Sequence, residues 1–209
     1  ITLGIVGVVA ALTAPALVKN SSQAKVGPSL AKFVNTWENA ADALLADEDA
    51  NFLKDATTND ATEWSISTVL MDSMGKYAPI IPFQENETYT YDGVTITMGK
   101  NYLASLYKLG DNVIIYYTPG IFYDTHTNIR EKGIYNEIVS TLLVDIDAFG
   151  GKNKTGVDVF CFYLDNTGRL IPYGGATHRY LSSSNIPRCN HSGDVEARLA
   201  CTGEIADNG

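Results

Sequence analysis

Three carboxylates near one glycine turn offer the most open piece of chemistry in this sequence. Asp145-Ile-Asp147-Ala-Phe-Gly-Gly-Lys-Asn153 alternates acidic side chains ahead of the turn, and Asp158 follows it. Calcium is held by oxygen ligands from such loops, which makes Asp145, Asp147 and Asp158 candidate calcium ligands. The full EF-hand pattern with its terminal Glu is missing, and a solvated turn between two strands is the rival reading. His126, His178 and His191 are scattered, with no His-Glu-x-x-His motif and no zinc spacing. The sequence also lacks a Gly-x-Ser-x-Gly elbow, a Walker lysine loop and a dinucleotide fingerprint. No residue stands out as catalytic, and the chain is expected not to be an enzyme and to need no cofactor.

The cysteines number three. Cys161 sits in Val157-Asp-Val-Phe-Cys-Phe-Tyr-Leu164, which reads as a buried strand with the cysteine as a small core residue. Cys189 and Cys201 flank a polar stretch that a disulfide would close into a loop, at a gain of roughly 3 kcal/mol in the chain-entropy model. Such a bond implies an oxidising compartment outside the cytoplasm. Asn-x-Ser/Thr triplets begin at Asn20, Asn86, Asn153 and Asn190 and read as chance occurrences, while Ser182–Ser184 is a candidate for O-linked sugar. Tyr89, Tyr91, Tyr116, Tyr117 and Tyr123 either line an adhesive surface or pack a sheet.

These residues need a scaffold, and the 209 residues suffice for one globular head plus an appendage. A hydrophobic fraction of 45% with 19% charged residues is that of a folded protein. The net charge of −9, with Lys and Arg totalling 15, leaves little basic surface to neutralise phosphates, so no nucleic-acid partner is expected.

Leu30, Phe33, Val34, Trp37, Ala41, Leu44, Leu45 and Phe52 fall on one stripe, which predicts an amphipathic helix from about Ser29 to about Leu53, with Gly27-Pro28 as a kink or start. A short helix is expected over Ile66 to Met74 and a turn over Pro79 to Pro82. Strand signals follow at Thr88–Met98 with Asp92-Gly93 as a hairpin turn, Tyr102–Leu109, Val113–Thr118, Ile138–Ile146, Val157–Leu164 and Leu170–Tyr173. The C-terminus reads as stopping in mid-hairpin at Asn208-Gly209, and the natural chain is expected to continue past it. The plan is α+β: a long N-terminal helix packed on an antiparallel sheet. Residues 1–28 form an apolar segment, and residues 29–209 form the head.

The apolar segment runs from Ile1 to Val18 without a charge; the first charge is Lys19. Nine large aliphatics lie in it: Ile1, Leu3, Ile5, Val6, Val8, Val9, Leu12, Leu17 and Val18. Their full burial is worth on the order of 15–25 kcal/mol, too much to leave in water. A helix apolar on every face must be buried in lipid or among other helices. Gly4, Gly7, Ala10, Ala11 and Ala14 allow close helix approach, and Pro15 weakens local helicity.

Ile1-Thr-Leu-Gly-Ile-Val-Gly-Val-Val-Ala-Ala-Leu-Thr-Ala-Pro-Ala-Leu17 resembles the N-terminal helix of bacterial type IV pilins and pseudopilins, with Gly4, Gly7, Ala10 and Pro15 at matching positions. The resemblance covers about twenty residues strongly, with only a loose resemblance in Asp145-Ile-Asp147 through Phe160 and in the cysteine-bearing C-terminus. It implies a non-enzymatic subunit, anchored in the inner membrane and then extracted into an extracellular helical filament of identical subunits. The filament core would be built by Ile1, Leu3, Gly4, Ile5, Val6, Gly7, Val8, Val9, Leu12, Pro15 and Leu17. The family's cleavage glycine, methylated aromatic and glutamate would lie upstream of Ile1, so their roles are not carried over, and residues are expected to be missing there. Two alternatives stay open: a minor pseudopilin of a type II secretion or DNA-uptake machine, and a membrane-anchored periplasmic enzyme or ligand-binding domain.

Overall fold

The computed structural model describes residues 26–51, 53, 66–97, 104–110, 112–117, 138–147, 153–176 and 187–208. The apolar segment with all its assembly residues, Ile1 to Leu17, lies outside them, as do Ser182–Ser184 and Tyr123. Helix α1 spans 26–47 and α2 spans Ile66–Met74. Among the described residues eight strands follow: β1 Ile80–Pro82, β2 Thr88–Tyr91, β3 Val94–Thr97, β4 Ala104–Leu109, β5 Asn112–Tyr117, β6 Ile138–Asp145, β7 Val159–Asp165 and β8 Leu170–Pro172. Two short helices, α3 Val195–Leu199 and α4 Cys201–Asn208, complete the described chain. The fold is mixed α+β.

Helix α1 forms where the stripe predicts, with Leu30, Phe33, Trp37, Ala40, Ala41 and Leu44 buried along one face. It ends about two turns before the expected Leu53. Asp47, Glu48 and Asp49 gather at its C-terminal end, where negative charge opposes the helix dipole. Asp49 turns into the left-handed region at φ 48°. The Ala50 amide then reaches back to the Leu45 carbonyl at 2.9 Å, closing the helix as a left-handed cap does.

Strands β1, β4, β5, β6, β7 and β8 form one antiparallel sheet in that order. Residues 80–82, read from the sequence as a turn, pair with β4 instead, Ile80 opposite Leu109 and Pro82 opposite Tyr107. An edge strand tolerates Pro82 because its outer side needs no ladder donor. The β2–β3 hairpin, expected within the same meander, forms a separate two-stranded sheet. Its turn residues Asp92 and Gly93 have φ of 45° and 78°, the left-handed pair that a tight hairpin requires.

Side chains of β6 and β7 alternate between two cores. Leu142, Val144, Phe160, Phe162 and Leu164 join the core under α1 and α2, with Leu70, Met71 and Met74 of α2. Leu143, Val159, Cys161 and Tyr163 join a second core under the hairpin and α3, with Tyr89, Tyr91, Ile96, Tyr173, Leu199 and Ala200. Every residue of β7 is buried, because both of its faces are covered. Tyr89 and Tyr91 are therefore core residues, not part of an adhesive face.

The C-terminal residues are helical, not half of a hairpin. Asp194 caps α3 by accepting from the Ala197 amide at 2.9 Å, and Glu196 stands in the first turn. Helix α4 approaches the 174–175 turn so closely that a Cβ on Gly203 would collide with the backbone of Gly174 and Gly175. Only glycine fits there.

Candidate functional site

The carboxylates singled out by sequence lie at the end of β6 and in the turn before β7. Asp145 is buried: its Oδ2 accepts from the Tyr89 hydroxyl at 2.6 Å and its Oδ1 from the Asp147 amide at 3.0 Å. Asp147 is exposed, and half-buried Asp158 accepts from the Lys154 amide while its carbonyl accepts from the Ile146 amide at 3.0 Å. Burial pushes the Asp145 carboxyl up to about 6, against the lowering effect of the Tyr89 and Asp147 hydrogen bonds. Burial also raises Asp158, and the charge of Asp147 adds to it. A calcium ion at Asp145 would have to compete with the Tyr89 hydroxyl for an oxygen. The arrangement in hand is a buried carboxyl that pins the β2–β3 hairpin to the main sheet.

A second polar cluster stands at the hairpin turn. The Arg198 guanidinium donates to Asp92 Oδ2 at 3.1 Å, to Thr155 Oγ1 at 3.0 Å and to the Gly193 carbonyl at 2.7 Å. The Thr155 hydroxyl donates to the same Asp92 oxygen at 2.6 Å. Asp92 and Arg198 are only 13% and 14% exposed, so the charges face each other with little water to screen them. Nothing in sequence reasoning pointed to this pair, because 106 residues separate the partners.

Cys189 and Cys201 form the expected disulfide, with their Cα atoms 4.4 Å apart. His191 Nε2 lies 3.8 Å from Cys189 Sγ; among the described residues these three side chains make the one gathered set of potential metal ligands, and its two sulfurs are bonded to each other. Cys161 is the buried free thiol that the sequence predicts, and burial raises its pKa far above the ordinary thiol range.

At the other end of the molecule α1 is bolted to the β7–β8 turn. Asp165 Oδ1 accepts from the amides of Thr167 and Arg169, at 2.8 and 3.0 Å, which shapes the turn. Arg169 then reaches Glu38 at 3.1 Å and Asp42 at 3.4 Å on α1, and the Leu170 amide donates to Glu38 at 3.2 Å. Gly168, at φ 88°, brings this turn so near the helix that a Cβ would stand 2.5 Å from that of Ala41.

Beside the start of α1 an apolar cleft of about 310 Å³ opens between the helix, the β7–β8 edge and α4, lined by Leu30, Val34, Phe162, Leu170, Pro172 and Ile205. A more polar cleft of about 360 Å³ lies on the opposite flank, by Lys32, Thr36, Pro79 and Asn112. Among the described residues no helix is long and apolar enough to cross a membrane. Comparison of the chain with protein-family models, with curated proteins and with solved structures finds no match.

Proposed function

We propose that this chain is a structural subunit of an extracellular filament of the type IV pilin kind, polymerising through residues 1–18 and carrying no catalytic role. The observation that supports this reading best is in the sequence: eighteen uncharged residues, small at Gly4, Gly7, Ala10, Ala11 and Ala14, lead toward an amphipathic helix. Such a segment can pass between lipid and a bundle of its own kind at little net transfer cost, since both surroundings are apolar. The amphipathic half, 26–47, is held on the sheet by a buried stripe and by the Arg169 contacts. In this reading the head is a rigid handle, and the apolar cleft beside Leu30 and Val34 receives aliphatic side chains from a neighbouring copy. A minor pilin of a secretion machine would have the same physical design.

The test is polymerisation. Purified full chain, freed of detergent, should sediment and show filaments by electron microscopy. Val9→Arg, which places a charge in the apolar bundle at a cost of about 2.5–3.5 kcal/mol, should abolish them while leaving the circular dichroism of the head unchanged. Dispersed monomers from the unaltered chain would rule the filament out and leave the membrane-tethered domain as the reading to pursue.

A further inference from the structure

The four Asn-x-Ser/Thr triplets are not equivalent once the chain is folded. Asn20 lies outside the described residues. At Asn153 both groups that a sugar transfer needs are engaged. Its Nδ2 donates to the Thr90 carbonyl at 3.0 Å, its Oδ1 is buried, and the Thr155 hydroxyl two residues on is bonded to Asp92. A glycan on that nitrogen would pull the hairpin off the 153–155 segment.

Asn86 and Asn190 are the reverse case. Asn86 is exposed at φ 69° in the turn closed by the Glu87 amide on the Gln84 carbonyl, and Thr88 is exposed two residues later. Asn190 is exposed as well, and its Oδ1 accepts from the Ser192 hydroxyl at 2.9 Å and the Ser192 amide at 3.1 Å. The Nδ2 atoms of both have no partner among the described residues. A second, independent observation points the same way. Cys189, next to Asn190, is in a disulfide, which belongs to an oxidising compartment outside the cytosol, where asparagine-linked sugar is found.

We infer that Asn190 and Asn86 are acceptors of N-linked glycans and that Asn153 is not. The reaction needs a lipid-phosphate-linked oligosaccharide and its transferase. Asparagine Nδ2 attacks the anomeric carbon, a C–N bond forms, and the bond from that carbon to the phosphate oxygen breaks. The lipid phosphate leaves and the amide gives up one proton, with no change of oxidation state. Two glycans would cover the β2 entry and the disulfide-closed loop with polar, bulky groups.

The protein isolated from its own cells supplies the test. Glycans are removed with an amidase in heavy-oxygen water, which converts each occupied asparagine to a labelled aspartate, and peptides are read by mass spectrometry. Label is expected at positions 86 and 190 and none at 153. Ser192→Ala should remove the Asn190 glycan, and Thr88→Ala that on Asn86, each leaving its asparagine in place. Absence of label from either site, or label at position 153 in folded protein, overturns the inference. Occupancy is read whether or not the chain polymerises, so this result and that of the filament test are separable.

Discussion

On the α1 side of the six-stranded sheet, burial is carried by apolar surface: Phe33, Trp37, Leu44, Met74, Phe160 and Phe162 meet with ring contacts such as Phe33 to Phe162 at 5.9 Å. On the hairpin side, tyrosines and aliphatics share the space with a buried Tyr89–Asp145 pair, and the rim holds the Arg198–Asp92–Thr155 cluster. The α1 side is covered by the long helix α1 together with α2, which bury large apolar side chains there, so shape and area suffice. The hairpin side is covered by short elements, the β2–β3 hairpin and α3, tied down by the Tyr89–Asp145 and Arg198–Asp92 contacts. Directional bonds therefore set where the hairpin and the C-terminal helices sit.

Single substitutions can break or sharpen this contrast. Phe162→Ala, in the centre of the α1-side core, should cost about 3–5 kcal/mol and bring a loss of cooperativity in urea unfolding. An effect below about 1 kcal/mol would mean the helix is not held by that core. Arg198→Ala should cost about 2–3 kcal/mol, because it leaves Asp92 poorly screened and the Gly193 carbonyl without its donor. Its signature would be faster amide exchange confined to the hairpin and α3, with α1 unchanged.

Asp145→Asn separates the faces by pH. The Asp145 carboxyl titrates near 6 in the fold and near 3.8 in the unfolded chain, so the folded state holds a proton that the unfolded state has released between those values. This contribution to stability is fully present below about pH 4 and lost as pH rises through about 6. Relative to the Asn variant, the natural chain should lose about 1–3 kcal/mol across that window, read from urea midpoints at the two ends. A constant difference would place the carboxyl in water. The smallest effect is expected from Arg169→Ala: the guanidinium is 49% exposed, and solvent screening limits its ion pairs with Glu38 and Asp42 to about 0–1 kcal/mol. A larger loss would make the α1 side as dependent on polar bonds as the other.

The same contrast explains what could be read in advance. The stripe Leu30, Phe33, Trp37, Ala41, Leu44 is a local pattern, and it predicted both α1 and its buried face. The strands β4 to β8 and the Asp92-Gly93 turn were legible for the same reason, since periodicity and turn chemistry act within a few residues. The end of α1 was misread because the stripe was followed past the acidic run 47–49, a local signal that argues against helix. The C-terminal helices were missed although the Asp194 cap with Glu196 behind it was available.

The candidate sites divide likewise. The Cys189–Cys201 pairing and the burial of Cys161 followed from their neighbours in sequence. The partner of Asp145 did not: nothing in the segment around a strand-end carboxylate marks Tyr89, 56 residues away, as the group that donates to it.

What the sequence determined by itself is where the oily segment lies, where α1, α2 and strands β2 to β8 form, and which face of α1 is buried, because hydrophobic period and backbone preference are properties of neighbouring residues. Tertiary structure alone decided that the hairpin leaves the main sheet to cover its second face, that Arg198 meets Asp92, and which Asn-x-Ser/Thr triplets remain open. Those outcomes depend on contacts between residues far apart in the chain, and a contact of that kind leaves no periodic mark on either partner's own segment.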